Sequence, residues 1–183
     1  MSDLFDIPDT IDFTSKDVDK LQLEEEEKID ENFKCHNDEY TQYYSFQSRY
    51  DLQEGLARTT LLTYKGRVIG YISIAMAHMR KENNEGMNSK ETEGNIPALL
   101  ISHLATHEDF LKKKIGSYLV SLAIKKAIEF SKKVGCRYVM LNPENEQGVR
   151  DFYEKLGFEY IPNIVDDKEK DAFILDIQQE KKS

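Results

Sequence analysis

No apolar run in this chain of 183 residues approaches the ~20 residues that would span a bilayer. The opening decapeptide MSDLFDIPDT is acidic and lacks the basic-then-apolar pattern of a secretory signal. Together these absences set the expectation of a soluble, cytoplasmic protein with no membrane partner. Cysteine is scarce as well. Cys35 and Cys136 lie far apart and belong to no CxxC or Cys/His spacing, so neither a disulfide framework nor a zinc site is expected, and both are expected to be small buried hydrophobes. The four histidines, His36, His78, His103 and His107, form no HExxH or i,i+4 pair, and no metal is expected from them. Excess positive charge is also missing. A formal net charge of −9, with a pI near 5.0, argues against broad attraction to nucleic acid or anionic lipid, although a local basic patch remains able to bind phosphate.

What is present suits one soluble domain over residues 1–183 with loose ends at about 1–12 and 178–183, and an α/β or α+β unit is the default. Composition is ordinary, at 39% hydrophobic and 32% charged. The most informative stretch is ALLISHLATHEDFLKKKIGSYLVSL, Ala98 to Leu122. An apolar strand there leads through a short charged turn into a long amphipathic helix. The first N–H groups of a helix have no intrahelical acceptor and carry the positive end of the macrodipole, so this junction predicts an anion seat, with Lys112, Lys113 and Lys114 beside it.

Around that stretch the pattern predicts an ordered series of elements. Thr14 or Ser15 looks like a helix N-cap ahead of KDVDKLQLEEEEKID. A second helix is expected over Asn37 to Asp51, with Tyr40, Tyr43, Tyr44, Phe46 and Tyr50 as core packing or a groove wall. Leu56–Tyr64 and Arg67–Ala75 are β-rich runs separated by Lys65-Gly66, which predicts a hairpin. A polar loop is expected from His78 to Asn95. Ala98–Ala105 reads as a central strand, Ile115–Val134 as a helix closed by Gly135, and Arg137–Asn142 as the next strand. A short helix over Glu146–Leu156 ends at Gly157, followed by strands FEYI and AFILDI and a fraying tail.

That order, together with Asn145 and the run Phe152-Tyr153-Glu154-Lys155-Leu156-Gly157-Phe158, resembles the GNAT superfamily of N-acetyltransferases over about Leu56 to Ile161. The run matches that family's Asn…FYEKLGF signature, with one extra residue between Asn145 and Tyr153. The family's phosphate loop usually reads Arg/Gln-x-x-Gly-x-Gly/Ala, whereas this chain has Leu111-Lys112-Lys113-Lys114-Ile115-Gly116, so only the last glycine matches. The resemblance implies a mixed, mostly antiparallel central sheet flanked by helices, with a splayed parallel strand pair. It implies acetyl-CoA as co-substrate, with pantetheine against Leu104, Ala105 and Thr106 and pyrophosphate against Lys112, Lys113, Lys114, Ile115, Gly116 and Ser117. Asn145 and Phe152 would complete the cofactor contacts, and Tyr153 would protonate the departing thiolate. No carboxylate stands where some relatives carry a glutamate, since that position holds Leu100. A non-catalytic acyl-CoA-binding or interaction module on the same fold is a further alternative.

The acceptor is a small-molecule, peptide or protein amine on this resemblance. FKCHNDEYTQYY, the LART strand and HLATHEDF are also similar to toxin-type acetyltransferases, which acetylate aminoacyl-tRNA and are held by an antitoxin; the acidity of this chain weighs against tRNA. Small members of the superfamily often pair, so a homodimer is one expected assembly.

Overall fold

Strand pairing organises the computed structural model, which describes residues 9–24, 30–80, 95–143, 147–161 and 172–180. Among these residues seven strands are present: β1 Val18–Gln22, β2 Arg58–Tyr64, β3 Arg67–Arg80, β4 Asn95–Thr106, β5 Tyr138–Leu141, β6 Glu159–Ile161 and β7 Ala172–Asp176. Their order in the sheet is β1-β2-β3-β4-β5-β7-β6. The sheet is mixed and mostly antiparallel, with one parallel pair, in which Ala98–Leu100 of β4 lie opposite Tyr138–Met140 of β5. The helices are α1 Asp38–Gln42, a π-helical turn Tyr43–Gln47, α2 Ser48–Gln53, α3 Ile115–Ser131, α4 Gln147–Lys155 and α5 Ile177–Glu180. The mixed sheet with flanking helices agrees with the architecture expected from the sequence.

Contacts divide the chain into two units, one from Met1–Ser73 with His103–Val120 and the other from Ile74–Ser102 with Ser121–Ser183. The first unit has an aromatic core. Phe33 meets Tyr44 at 4.9 Å and Tyr71 at 5.5 Å between ring centroids, and Leu23, Tyr43, Leu61 and Val68 close around them. Each buried phenol finds a partner: Tyr71 donates to the carbonyl of Tyr40 at 2.7 Å, and Tyr44 accepts the N–H of Asp30 at 2.9 Å. Burial without such bonds would be expensive for a hydroxyl. The second unit packs Met79, Ile96, Ala98, Tyr138, Met140, Ala172 and Ile174 together.

The hairpin between β2 and β3 forms as the sequence predicts. Lys65 at φ 48° and Gly66 at φ 78° are both left-handed, as a two-residue turn matching the strand twist requires. Three local expectations change. The segment after Ser15 is strand β1, not a helix: Val18–Gln22 pairs antiparallel with Tyr64–Thr60, and Val18 and Leu23 are buried while Asp19 and Lys20 face outward. Pairing with an available sheet edge here overrides the local helical pattern. Of the acidic run at 24–27 that suggested a helix, only Glu24 is among the described residues, and 25–29 lie outside them. Strand β3 continues to Arg80, past the predicted end at Ala75, and the rest of the predicted polar loop, 81–94, lies outside the described residues. Ile177, which the sequence places at the end of the last strand AFILDI, instead begins the helical turn α5, Ile177–Glu180, and is fully buried. Within the N-terminal stretch read as loose, Ile11 is buried.

One close approach fixes α3 on the sheet. At Gly70 of β3 an added Cβ would meet Ile115 Cγ2 at 2.8 Å, the Ala105 carbonyl oxygen at 3.0 Å and Leu119 Cδ1 at 3.1 Å. Glycine is required there by space, since the first turn of the helix and the backbone of β4 already occupy it. Gly70→Ala is therefore expected to destabilise the protein by about 1–3 kcal/mol, as overpacking does in filled cores. A urea melt showing an unchanged midpoint would show that α3 does not press on β3 at this point.

Candidate active site

In the first unit the site is built from the end of β4. Leu104 and Thr106 are half-buried and Ala105 is buried in the aromatic core. The chain then passes through His107, which is 3% exposed and bonded on every polar atom of its ring. Its main-chain N–H donates to the carbonyl of Ile69 at 2.9 Å. Its Nδ1 accepts the N–H of Asp109 at 3.2 Å, so the ring proton sits on Nε2, which donates to the carbonyl of Asn32 at 3.2 Å. In that neutral tautomer the Asp109 carboxylate, 3.8 Å from Nδ1, forms no ion pair with it. Phe33 and Phe110 meet the imidazole edge-on at 5.7 and 5.8 Å, and Glu108 N–H donates to the Lys34 carbonyl at 2.9 Å. A short 3-10 turn, Glu108–Phe110, is thereby held in one place.

The loop that follows adopts an uncommon backbone. Lys112 and Lys114 both have φ of 62°, in the left-handed region where a side chain is disfavoured. Lys114 stands where the resembling family's loop has glycine, and it keeps the conformation that glycine would supply. The helical bond from Tyr118 N–H to the Lys114 carbonyl, 3.0 Å, starts α3, and the N–H groups of Ile115, Gly116 and Ser117 precede it. The side chain of Ile115 is buried against β3, so only its main chain is available at the loop. Lys112 and Lys114 are exposed, and the Lys113 ammonium donates to the Asp9 carbonyl at 3.3 Å. Tyr118 stacks on Phe13, with ring centroids 4.2 Å apart, which pins residues 9–13 beside this turn. Converging N–H groups with two exposed ammoniums form a seat suited to phosphate oxygens.

The second unit carries Tyr153, and the structure explains the run around it. Gly157 is left-handed at φ 85°, Gly157 N–H donates to the Glu154 carbonyl at 3.0 Å, and Phe158 N–H donates to the Tyr153 carbonyl at 3.1 Å. These two bonds make a Schellman cap on α4, completed by contact between the Phe158 and Tyr153 rings at 5.7 Å. Phe152 meets Tyr153 edge-on at 4.9 Å, and Phe173 tilts against it at 6.0 Å. The buried tyrosine is thus held by main-chain bonds from both sides of the glycine. Asn145 lies outside the described residues.

Sequence spacing does not reveal a further cluster in the first unit. His103 of β4 stacks on Tyr43 with centroids 3.4 Å apart and planes 13° from parallel, and Tyr40 meets it edge-on at 5.5 Å. The Tyr43 hydroxyl donates to Asp51 Oδ2 at 2.9 Å, and Gln47 Nε2 donates to Asp51 Oδ1 at 2.9 Å. Burial pushes the Tyr43 phenol up. It holds the His103 imidazole below the ordinary histidine range, opposed by the fields of Asp51 and Glu39. A π turn brings Tyr43 and Asp51 together. In an α-helix eight residues overshoot two turns by about 80°, and the wider π turn removes part of that excess. Leu100, at the position where some relatives carry a glutamate, is half-buried and paired with Met140.

Comparison with known proteins follows the same lines. The family described as "Acetyltransferase (GNAT) family" matches residues 21–158, which takes in parts of both units. A tRNA-acetylating toxin of Mycobacterium tuberculosis (strain ATCC 25618 / H37Rv) is 24% identical over 109 residues, which is 60% of this chain. The match spans 65% of the length of that curated relative. Among solved structures, AtaT complexed with acetyl-methionyl-tRNAfMet is similar at a TM-score of 0.78 and 20% identity, covering 90% of this chain and 98% of that one. A variant AtaT toxin bound to the C-terminus of the antitoxin AtaR and acetyl-CoA has a TM-score of 0.71 at 18% identity, over 89% and 95% of the two chains. At these identities the likeness is one of fold.

The left-handed lysine is directly testable. Lys114→Gly is expected to hold stability or raise it by up to about 1 kcal/mol, because the left-handed cost to a side chain, about 1–2 kcal/mol, exceeds or balances the greater unfolded freedom of glycine. Lys114→Val is expected to lower it by about 1–2 kcal/mol, since a β-branched residue is least tolerant of positive φ. Equal losses in both variants, read from urea midpoints, would contradict the backbone assigned to this loop.

Proposed function

We propose the following activity for a chain that belongs to the acetyltransferase (GNAT) family: it transfers acetyl from acetyl-CoA to a primary amine by direct attack in a ternary complex, with the α-amino group of an aminoacyl-tRNA as the favoured acceptor. The observation that carries the cofactor half is the loop before α3, where Lys112 and Lys114 hold left-handed backbone ahead of a first turn whose N–H groups are bonded by none of the described residues. Pyrophosphate would accept from the N–H groups of Ile115, Gly116 and Ser117, with Lys112, Lys113 and Lys114 adding charge. Pantetheine amides would pair with the main chain of Leu104 to Thr106, and Phe152 with Asn145 would complete the cofactor contacts.

For the chemistry, the neutral amine attacks the thioester carbonyl, the C–S bond breaks as the C–N bond forms, and the nitrogen gives up one proton as it becomes the amide, which offsets the proton delivered to the thiolate. Tyr153 would donate its hydroxyl proton to the leaving thiolate. A phenol with a pKa near ~10 is still protonated at neutral pH, and a thiolate of pKa ~8.5 is basic enough to draw on it. The tight cap under Tyr153 supports that role by limiting where the hydroxyl swings.

The tRNA acceptor is supported by what the similar proteins bind or modify, namely tRNA in the mycobacterial relative and acetyl-methionyl-tRNA in the AtaT complex. Amine chemistry favours it too, since an α-amino group titrates roughly 2–3 units below a lysine and presents more free base at neutral pH. Against an overall charge of −9, the exposed Lys112, Lys114, Lys125, Lys126, Lys132 and Lys133 are the local cations offered to a phosphate backbone. A protein partner of antitoxin type is proposed on the likeness to the AtaR-bound toxin.

Acetyl-CoA incubated with an amine panel that includes charged tRNA, with free thiol followed, tests the activity. Thiol release dependent on charged tRNA is expected; release with small amines alone would move the acceptor, and an acetyl-CoA-dependent rise in melting without any thiol release would make the chain a binding module. Tyr153→Phe is expected to reduce turnover about 100- to 10,000-fold with little change in melting temperature, because the ring packing is retained. Unchanged turnover would remove Tyr153 from the proton transfer.

A further inference from the structure

The two histidines near the end of β4 have opposite surroundings. Both ring nitrogens of His107 are committed to main-chain partners, at 3.2 Å each, so its proton is fixed and its role is to hold the chain. His103 is held by flat aromatic contact instead. Tyr43 covers one face at 3.4 Å between centroids and Tyr40 closes an edge. Its Nδ1 is buried and bonded by none of the described residues. A buried nitrogen without a partner is uncommon, and at a half-exposed ring it leaves the tautomer unfixed. His103 also directly precedes Leu104 on β4.

We propose that His103 is the general base of this enzyme, taking the proton from the acceptor ammonium before the amine attacks the thioester. This rests on the amine-acetyltransferase activity proposed above. The step balances: R–NH3+ gives one proton to the imidazole lone pair, the freed amine forms the C–N bond to the acetyl carbon, the C–S bond breaks, and the thiolate takes the Tyr153 proton. As the amide forms, its nitrogen gives up a second proton, which restores the Tyr153 phenol, and the imidazolium passes its proton to water, so the net reaction releases one proton.

The surroundings suit the task. Burial disfavours the charged ring, which keeps it unprotonated and ready at neutral pH, while Asp51 on α2 and Glu39 on α1 act in the opposite direction and support the imidazolium once formed. Tyr43 and Tyr40 are the titratable groups in ring contact with it, and burial pushes the Tyr43 phenol further up. Asp51 is itself positioned by Tyr43 and Gln47, so it acts on His103 through its field and is a positioning residue. The chain thus has a base on β4 although Leu100 supplies no carboxylate.

The test is the pH dependence of kcat/KM for the wild type, His103→Phe, His103→Gln and Asp51→Asn with the same acceptor. The wild type is expected to lose activity as pH falls through a value below the ordinary ~6.5 of histidine. His103→Phe keeps the aromatic stack and is expected to melt normally, yet to lose about 100-fold or more near pH 7. That deficit should shrink as pH rises toward the amine pKa, and added imidazole should recover part of it. His103→Gln should show the same loss. Asp51→Asn, which removes a field that favours the imidazolium, should move the acid limb to lower pH. A deficit independent of pH, or no deficit in either His103 variant, overturns the base. A wild type that acetylates no amine overturns the acetyltransferase activity itself, and the base with it.

Discussion

The junction between β4 and α3 depends on one buried imidazole. His107 accepts from Asp109 and donates to Asn32, while its own N–H reaches Ile69, so it ties three separated segments at a single point. Each bond is neutral and of ordinary strength, worth about 1 kcal/mol net. Their joint effect is geometric, because a ring whose two nitrogens point at fixed main-chain groups cannot turn. The 3-10 turn, the left-handed lysines and the first turn of α3 all follow from where His107 releases the chain. Gly70 completes the constraint from beneath by letting Ile115 and Leu119 reach the strand.

A second fixed point is the cap of α4. The run FYEKLGF is recognisable in the sequence because each residue type answers a local need: a left-handed glycine, an aromatic after it, and an aromatic one turn earlier for it to touch. Tyr153 occupies that last position, so the same motif that closes the helix also holds the proposed acid. A short, self-contained device of this kind is legible without knowledge of the rest of the fold.

Long-range features were less legible, for physical reasons that differ from case to case. The hairpin at Lys65-Gly66, the long helix α3 and the strand before it follow from periodicity and turn chemistry, which are local. Strand β1 does not, since its state is decided by pairing with β2, and KDVDKLQ alone also fits a helix. The π turn leaves no mark in spacing, because it is a widening of the backbone under Tyr43 and Tyr44. The stripe of aromatics it interrupts divides accordingly: Tyr43 and Tyr44 are buried, while Phe46 is 77% exposed. The positive φ at Lys112 and Lys114 was hidden because lysine gives no sign of it. His103 stood in plain view, but its partner Tyr43 and the neighbouring Asp51 come from a distant helix.

The lysine loop carries a consequence for how the proposed cofactor seat responds to its solution. Main-chain N–H groups at a closely fitted turn act at contact distance and are little affected by dissolved ions. Exposed ammoniums act over several ångströms through water, where a Debye length of about 8 Å at physiological ionic strength already weakens them. A loop that holds a glycine's backbone with lysines therefore adds an ionic-strength-dependent part to an otherwise salt-tolerant grip. Cofactor affinity in this protein would fall with rising salt more steeply than in relatives whose loops rely on glycine, and occupancy would follow the ionic state of the cell.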